Sequence, residues 1–294
     1  MTFSGMTRRS ALALMSSAVL AQTPAWPGKK KLLAIADPRE WYGHVNYHHD
    51  ASSHTLATVE RLGRESGAWI TVIRTDMELL RKGKLQGVNA RSLDDFDGIF
   101  YMGEGPWDIS DEQKANLLSF VHDDGKGFVA GHAGNGGHLL LWPEYAEMIG
   151  GNLVSEFPTT DLPVILEDPK FPGVDGFPKT FWYRDQFTVT GPNFSRETDH
   201  VIMRLDASKL DEAKARQPAE RARSGFERAA AARRPDGDMP IVWAKKYGKG
   251  RVWYSSFGHE ETSLDDPRVQ KMYVGAIQWA LGMVEADITP RPLP

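Results

Sequence analysis

Apolar runs of strand length recur along this chain, and one after another ends in an ionisable residue. Lys31–Ala36 leads into Asp37 and then His44, His48 and His49. Phe96–Met102 ends at Gly103-Glu104, Gly127–Gly131 at His132, and Val252–Phe257 at Gly258-His259-Glu260. Continuous apolar runs are the pattern of strands covered on both faces, as in a parallel sheet. Helical signals lie between them. His54–Ser66 places Leu56, Val59 and Leu62 on one face, and Met77–Lys84 reads as a short helix closed by Gly83 and Gly87. Ser110-Asp111-Glu112-Gln113 is a capping box that opens a helix running to Asp123, with Gly125 as its terminator. Trp69–Arg74 is a further strand and Pro143–Ile149 a further helix. This βαβα alternation predicts an α/β fold: a doubly wound, mostly parallel sheet flanked by helices. Ligands of such sheets bind beyond the carboxyl ends of the strands, where these ionisable residues fall.

The texture changes after Gly150. Leu162–Glu167, Phe187–Thr190 and Val201–Leu205 are short strands between Pro- and Gly-rich loops. Pro240–Lys246 and Arg251–Phe257 flank Tyr247-Gly248-Lys249-Gly250, a hairpin signal, and Asp266–Leu281 is a closing helix. Ala207–Asp238 is rich in Ala, Arg and Glu and reads as an exposed helical excursion with a solvated charged face. The expected organisation is a single domain over residues 31–283, with the excursion at 207–238, a linker at 22–30 and a tail at 284–294.

Composition narrows the chemistry. A formal charge of −4 offers no basic face for nucleic acid. The absence of cysteine removes disulfides, thiolate nucleophiles, Fe–S clusters and Cys-ligated zinc. Thr7-Arg8-Arg9-Ser10, the apolar run Ala11–Leu20 and the small residues around Ala21 describe an export signal over residues 1–21, of the twin-arginine type. The expected location is therefore periplasmic or extracellular. The apolar run is too short to span a membrane. No G-x-G-x-x-G follows the first strand, where Asp37-Pro38-Arg39-Glu40 stands, so no nucleotide cofactor is expected.

His132 lies between a strand and the glycine-rich turn Ala133-Gly134-Asn135-Gly136-Gly137, where a hydrolase would carry a nucleophilic Ser or Cys. With neither present, acyl-enzyme chemistry is not expected there. His132 and His259 are the candidate proton-transfer pair, with Glu104 and Asp185 orienting substrate hydroxyls. His49, Asp50, Trp107, Asn135 and Glu260 complete the candidate substrate-binding set. His48 and His49 are the candidate ligands for a divalent metal, although no helix-fixed motif such as H-E-x-x-H supports them.

Read in order, several segments resemble the ThuA-like (trehalose-utilisation) family. They are Tyr47-His48-His49-Asp50, Gly125-Lys126-Gly127-Phe128-Val129-Ala130-Gly131-His132, Trp142-Pro143-Glu144-Tyr145, Met148-Ile149-Gly150-Gly151 and Val164-Ile165-Leu166-Glu167-Asp168-Pro169. The C-terminal part adds Tyr247-Gly248-Lys249-Gly250-Arg251-Val252-Trp253-Tyr254, Gly258-His259 and Ala276-Ile277-Gln278-Trp279-Ala280-Leu281-Gly282. The resemblance implies a fold like that of class I glutamine amidotransferases (flavodoxin-like), lacking the catalytic Cys, and a carbohydrate partner, a disaccharide or keto-sugar derivative. Three positions depart from the family pattern. Asn135 stands near an acidic position, Glu156 replaces the His of a His-Pro pair, and Gln186 replaces the Glu of an Asp-Glu pair. The function expected is acid–base chemistry on such a sugar: isomerisation, epimerisation or elimination. A non-catalytic sugar-binding module and a metal-dependent hydrolase are the alternatives, and a homo-oligomer is left open.

Overall fold

The computed structural model describes residues 28–36, 49–83, 91–103, 109–136, 142–217 and 220–293. Its first half contains β1 (Lys30–Ile35), α1 (His49–Ser66), β2 (Trp69–Arg74), β3 (Gly98–Tyr101), α2 (Asp111–His122), β4 (Gly127–Gly131) and α3 (Pro143–Ile149). The second half adds β5 (Leu153–Glu156), β6 (Thr160–Leu166), β7 (Thr180–Asp185), β8 (Thr188–Thr190) and β9 (His200–Leu205). It continues through α4 (Leu210–Ala215), α5 (Glu220–Ala231), β10 (Pro240–Tyr247), β11 (Gly250–Ser255), α6 (Glu261–Asp265) and α7 (Pro267–Ala280).

Nine strands form one sheet in the order β2-β1-β3-β4-β11-β10-β9-β6-β7, and β5 pairs with β8 apart from it. Strand alternation sends side chains to two cores. Leu32, Ala34 and Val129 join Leu56, Val59 and Leu62 of α1 and Val269, Met272 and Ala276 of α7 on one face. Leu33, Ile35, Phe128 and Ala130 meet Leu117, Phe120 and Val121 of α2 and Tyr145, Met148 and Ile149 of α3 on the other. With both faces covered, alternate positions of these strands must both be apolar, which is why they read as continuous runs.

The capping box forms as expected: Ser110 Oγ accepts the Gln113 amide at 3.2 Å, and Gln113 Oε1 accepts the Ser110 amide at 3.1 Å. Three expectations are corrected. The sheet is mixed, not mostly parallel. β2, β1, β3, β4 and β11 run parallel, but the hairpin through Gly248 turns β10 back, and β9, β6 and β7 continue antiparallel. The described part of Met77–Lys84 is a turn and not a helix. Among the described residues only one local backbone bond forms there, from the Leu80 amide to Met77 O, while Arg81 O accepts the Leu93 amide and the Gly83 amide donates to Asp94. The excursion is helical, but not solvated throughout, because Leu210, Ala213, Phe226 and Ala229 are buried in the main core. Phe226 packs edge-on against Phe157, ring centres 5.0 Å apart. The strands Leu153–Glu156 and Thr180–Asp185 carried no strand signal strong enough to be expected; the second is an edge strand paired along β6.

The antiparallel half ends in a buried polar lock. His200 Nδ1 donates to Thr289 O at 2.8 Å, and its Nε2 lies 2.9 Å from Asp168 Oδ2, tying the C-terminal segment to β9. Burial opposes ionisation of Asp168, yet hydrogen bonds from His200 and the Lys170 amide hold its carboxyl below the usual range. A depressed carboxyl stabilises the fold above its unfolded pKa, and that contribution is lost as pH falls through the folded one. Asp168→Asn is therefore expected to cost about 1–3 kcal/mol at neutral pH. In thermal melts the gap to wild type should close as pH falls below about 4.

Candidate functional site

β4 and β11 lie side by side and parallel, with Gly131 opposite Ser255. Their carboxyl ends therefore deliver His132 and the loop Ser256–His259 to one edge of the sheet. His132 has φ +36°, and among the described residues it is the one non-glycine residue with positive φ. A left-handed non-glycine residue costs about 1–2 kcal/mol, so the surroundings must impose it. The His132 ring, 1% exposed, donates through Nδ1 to Ser256 O at 3.2 Å. The Tyr254 hydroxyl lies 2.7 Å from His132 O and 2.9 Å from Asn135 Oδ1, and it gives its one proton to either. Gly134 is required here: a Cβ would sit 2.9 Å from the Ala130 Cβ. Tyr145 closes the turn by donating to Gly134 O at 2.7 Å.

His259 comes from the β11 side. Its Nδ1 is 3.2 Å from His132 Nε2, with ring centres 4.9 Å apart. The tautomers follow from the acceptor at the far end. A carbonyl oxygen can only accept, so the proton of His132 sits on Nδ1. His132 Nε2 then presents a lone pair, and His259 must donate to it from Nδ1. Neutral His259 then carries its own lone pair on Nε2. That nitrogen lies 3.8 Å from Glu260 Oε1, which also accepts from the Thr159 hydroxyl at 2.7 Å.

Asp185 fixes the loop that carries His259. It is fully buried, and its carboxylate accepts the amides of Gly258 (2.8 Å), Gln186 (2.9 Å) and Glu260 (3.2 Å). Burial pushes its pKa up to about 6, against the lowering effect of these bonds and of Ser263. Asp185 was expected to orient substrate hydroxyls. It lies instead beneath the loop, with its oxygens occupied by backbone. Asn135 is also fully buried; its Oδ1 faces Tyr254, while its Nδ2 has no hydrogen-bond partner. An orphaned buried donor costs about 1–3 kcal/mol.

The structure thus gathers His132, His259, Asp185, Asn135 and Glu260 at one edge. Glu104, Trp107 and His48 lie outside the described residues, as do His44 and His138. His49 and Asp50 begin α1, and their side chains are likewise outside the description. Among the described residues no group of three or more His, Asp or Glu is placed to hold a metal ion. Sequence reasoning missed Tyr254, Thr188 and Ser256, which brace the turn from β11 and β8. Thr188 Oγ1 is 3.0 Å from both the Tyr254 hydroxyl and Ser256 Oγ. The available signal was a Tyr and two Ser closing an otherwise apolar run.

The fold is shared with solved structures. A ThuA-like protein from Bacteroides uniformis aligns with a TM-score of 0.63 at 17% identity, covering 87% of this chain and 94% of the other. A ThuA-like protein from Parabacteroides merdae gives 0.58 at 15% identity, covering 89% and 93%. The cytoplasmic protein STM3548 from Salmonella typhimurium gives 0.53 at 10% identity, covering 85% and 98%. At these identities the likeness speaks for the fold alone. No curated protein matches the chain. The ThuA family model, described as trehalose utilisation, matches residues 41–280, and the chain belongs to that family.

Proposed function

We propose that this protein is an exported enzyme that moves a proton on a disaccharide or a keto-sugar derivative, by isomerisation, epimerisation or elimination. The observation that carries the reading is the directed pair Ser256 O···His132···His259, which leaves neutral His259 with a basic Nε2. A proton next to a sugar carbonyl is removed by a positioned base, and His is well suited to that near neutral pH. His132 sets the tautomer of His259, and Asp185 sets the position of its loop. The family's link to trehalose utilisation supports the substrate class. The paired arginines and apolar run near the N-terminus support export. The order β2-β1-β3-β4, with a strained turn after β4, supports relating the parallel half to class I glutamine amidotransferases, with His132 at the nucleophile position.

Hydrogen–deuterium exchange at the carbon beside the carbonyl of a keto derivative of trehalose, followed by NMR, tests the chemistry. His259→Ala and His132→Ala should each slow exchange by about 10²- to 10⁴-fold. Exchange at the wild-type rate in both variants would sink the proton-transfer assignment. Sugar binding with no exchange or product in wild type would favour a binding module.

Asp185 gives a separate, stability-based check. Its folded pKa, at about 6, lies above the unfolded value of about 3.9. The folded state therefore binds more protons between these values, and stability falls as pH rises through that window. The loss is on the order of 2–3 kcal/mol. Asp185→Asn should flatten the wild-type slope in denaturant unfolding between about pH 4 and 6; an unchanged slope would place the titration elsewhere.

A further inference from the structure

A row of cations lies at the edge of the sheet opposite the histidines, where the parallel strands begin. β1, β3, β4, β11 and β10 are neighbours in the sheet. At this edge they present, in that order, Lys30, Asp97, Lys126, Arg251 and Lys246. Lys249, in the turn between β10 and β11, completes the wall of a cavity of about 330 Å³. Close packing of turn on hairpin shapes it. A Cβ at Gly250 would fall 2.7 Å from Lys126 O, and one at Gly125 3.3 Å from the Lys249 Cβ. The volume is at the lower end for small-molecule sites, which span about 300–1,000 Å³.

The carboxylates there are already committed. Asp97 lies 3.3 Å from Lys30 Nζ and 3.8 Å from Lys126 Nζ, and its other oxygen accepts the Lys31 amide at 2.9 Å. Asp124 pairs with Lys82. Arg251 is fixed by the carbonyls of Trp279 and Val284, each at 3.0 Å, and by Glu285 at 2.6 Å. The cavity wall sets five cations against two carboxylates, and counting Lys82 and Glu285 leaves the excess at three. Among the described residues, the ammonium groups of Lys246 and Lys249 have no hydrogen-bond or ion-pair partner. Lys246 also stands directly opposite Arg251 across the hairpin, and like charges so placed destabilise a sheet. Partial burial and the Arg251 guanidinium hold its ammonium below the usual range. A chain of net charge −4 thus gathers unneutralised positive charge in one concave place. Charge focused in a cleft concentrates small ions of the opposite sign. A carboxylate would bring one negative charge to this excess, whereas a phosphoryl group brings nearly two, with three acceptor oxygens for the ammonium groups.

We propose that this cavity binds a phosphoryl group, held between the ammonium groups of Lys246 and Lys249, with Lys126 and Arg251 adding positive charge. The site lies across the sheet from the histidine pair and rests on nothing proposed for it. Phosphorus-31 NMR titration tests it with inorganic phosphate and with methyl phosphate, in chloride buffer of constant ionic strength. Both should bind the wild type, and the tighter of the two tells the free ion from a phosphate monoester as the fitting form. Lys246→Ala and Lys249→Ala should each weaken binding about tenfold, the loss of one charge-assisted hydrogen bond. Lys271→Ala removes an exposed lysine paired with Asp175 and should leave binding unchanged. All three side chains are exposed, and circular dichroism verifies that the variants fold. No binding in wild type, binding unmoved by both Lys246→Ala and Lys249→Ala, or an equal loss in Lys271→Ala would overturn the proposal.

Discussion

The register between β4 and β11 is the constraint on which the site depends. Gly127 pairs with Arg251 and Gly131 with Ser255, in parallel, so both strands end at the same level of the sheet. A one-residue slip would send alternate side chains to the wrong core and separate the two histidines. Close packing guards this register. A Cβ at Gly127 would fall 2.5 Å from Ala280 O, and one at Gly131 3.0 Å from the Tyr273 hydroxyl. Tyr273 in turn donates to Phe257 O at 2.7 Å, so α7 fixes the strand end that leads to His259.

On that frame the edge accumulates local costs that the rest of the fold offsets. His132 is held in a left-handed conformation, Asn135 keeps an unsatisfied N–H, and Asp185 is a carboxyl buried far enough to titrate near 6. Each opposes folding by about 1–3 kcal/mol. Costs gathered in one place are a mark of function when a packed sheet over-determines the geometry.

Much of the parallel half was legible in the residues, because its strands are apolar on both faces and its helices announce their caps. Ser110 and Gln113 are the clearest case. The antiparallel half was harder, since the edge strand Thr180–Asp185 mixes aromatic and charged residues and owes its conformation to β6. The turn after Met77 has apolar residues spaced like a helix, while Arg81 O and the Gly83 amide find their partners in a later segment. Strand ends placed His132 and His259 at one edge, where the two rings meet. The sequence could not show that Asp185 lies beneath the loop, because three amides from separate positions meet it only after folding. Tyr254 was hidden for a similar reason: a tyrosine in an apolar strand reads as core until its hydroxyl finds the turn.

The central claim is the direction of the hydrogen bonds through the two rings. Nitrogen-15 NMR of the imidazoles at a pH where both are neutral reads it directly. The result expected is His132 protonated on Nδ1 and bare on Nε2, with His259 protonated on Nδ1 and bare on Nε2. A proton on His132 Nε2, or on His259 Nε2, would reverse the chain and contradict the assignment of His259 as the base.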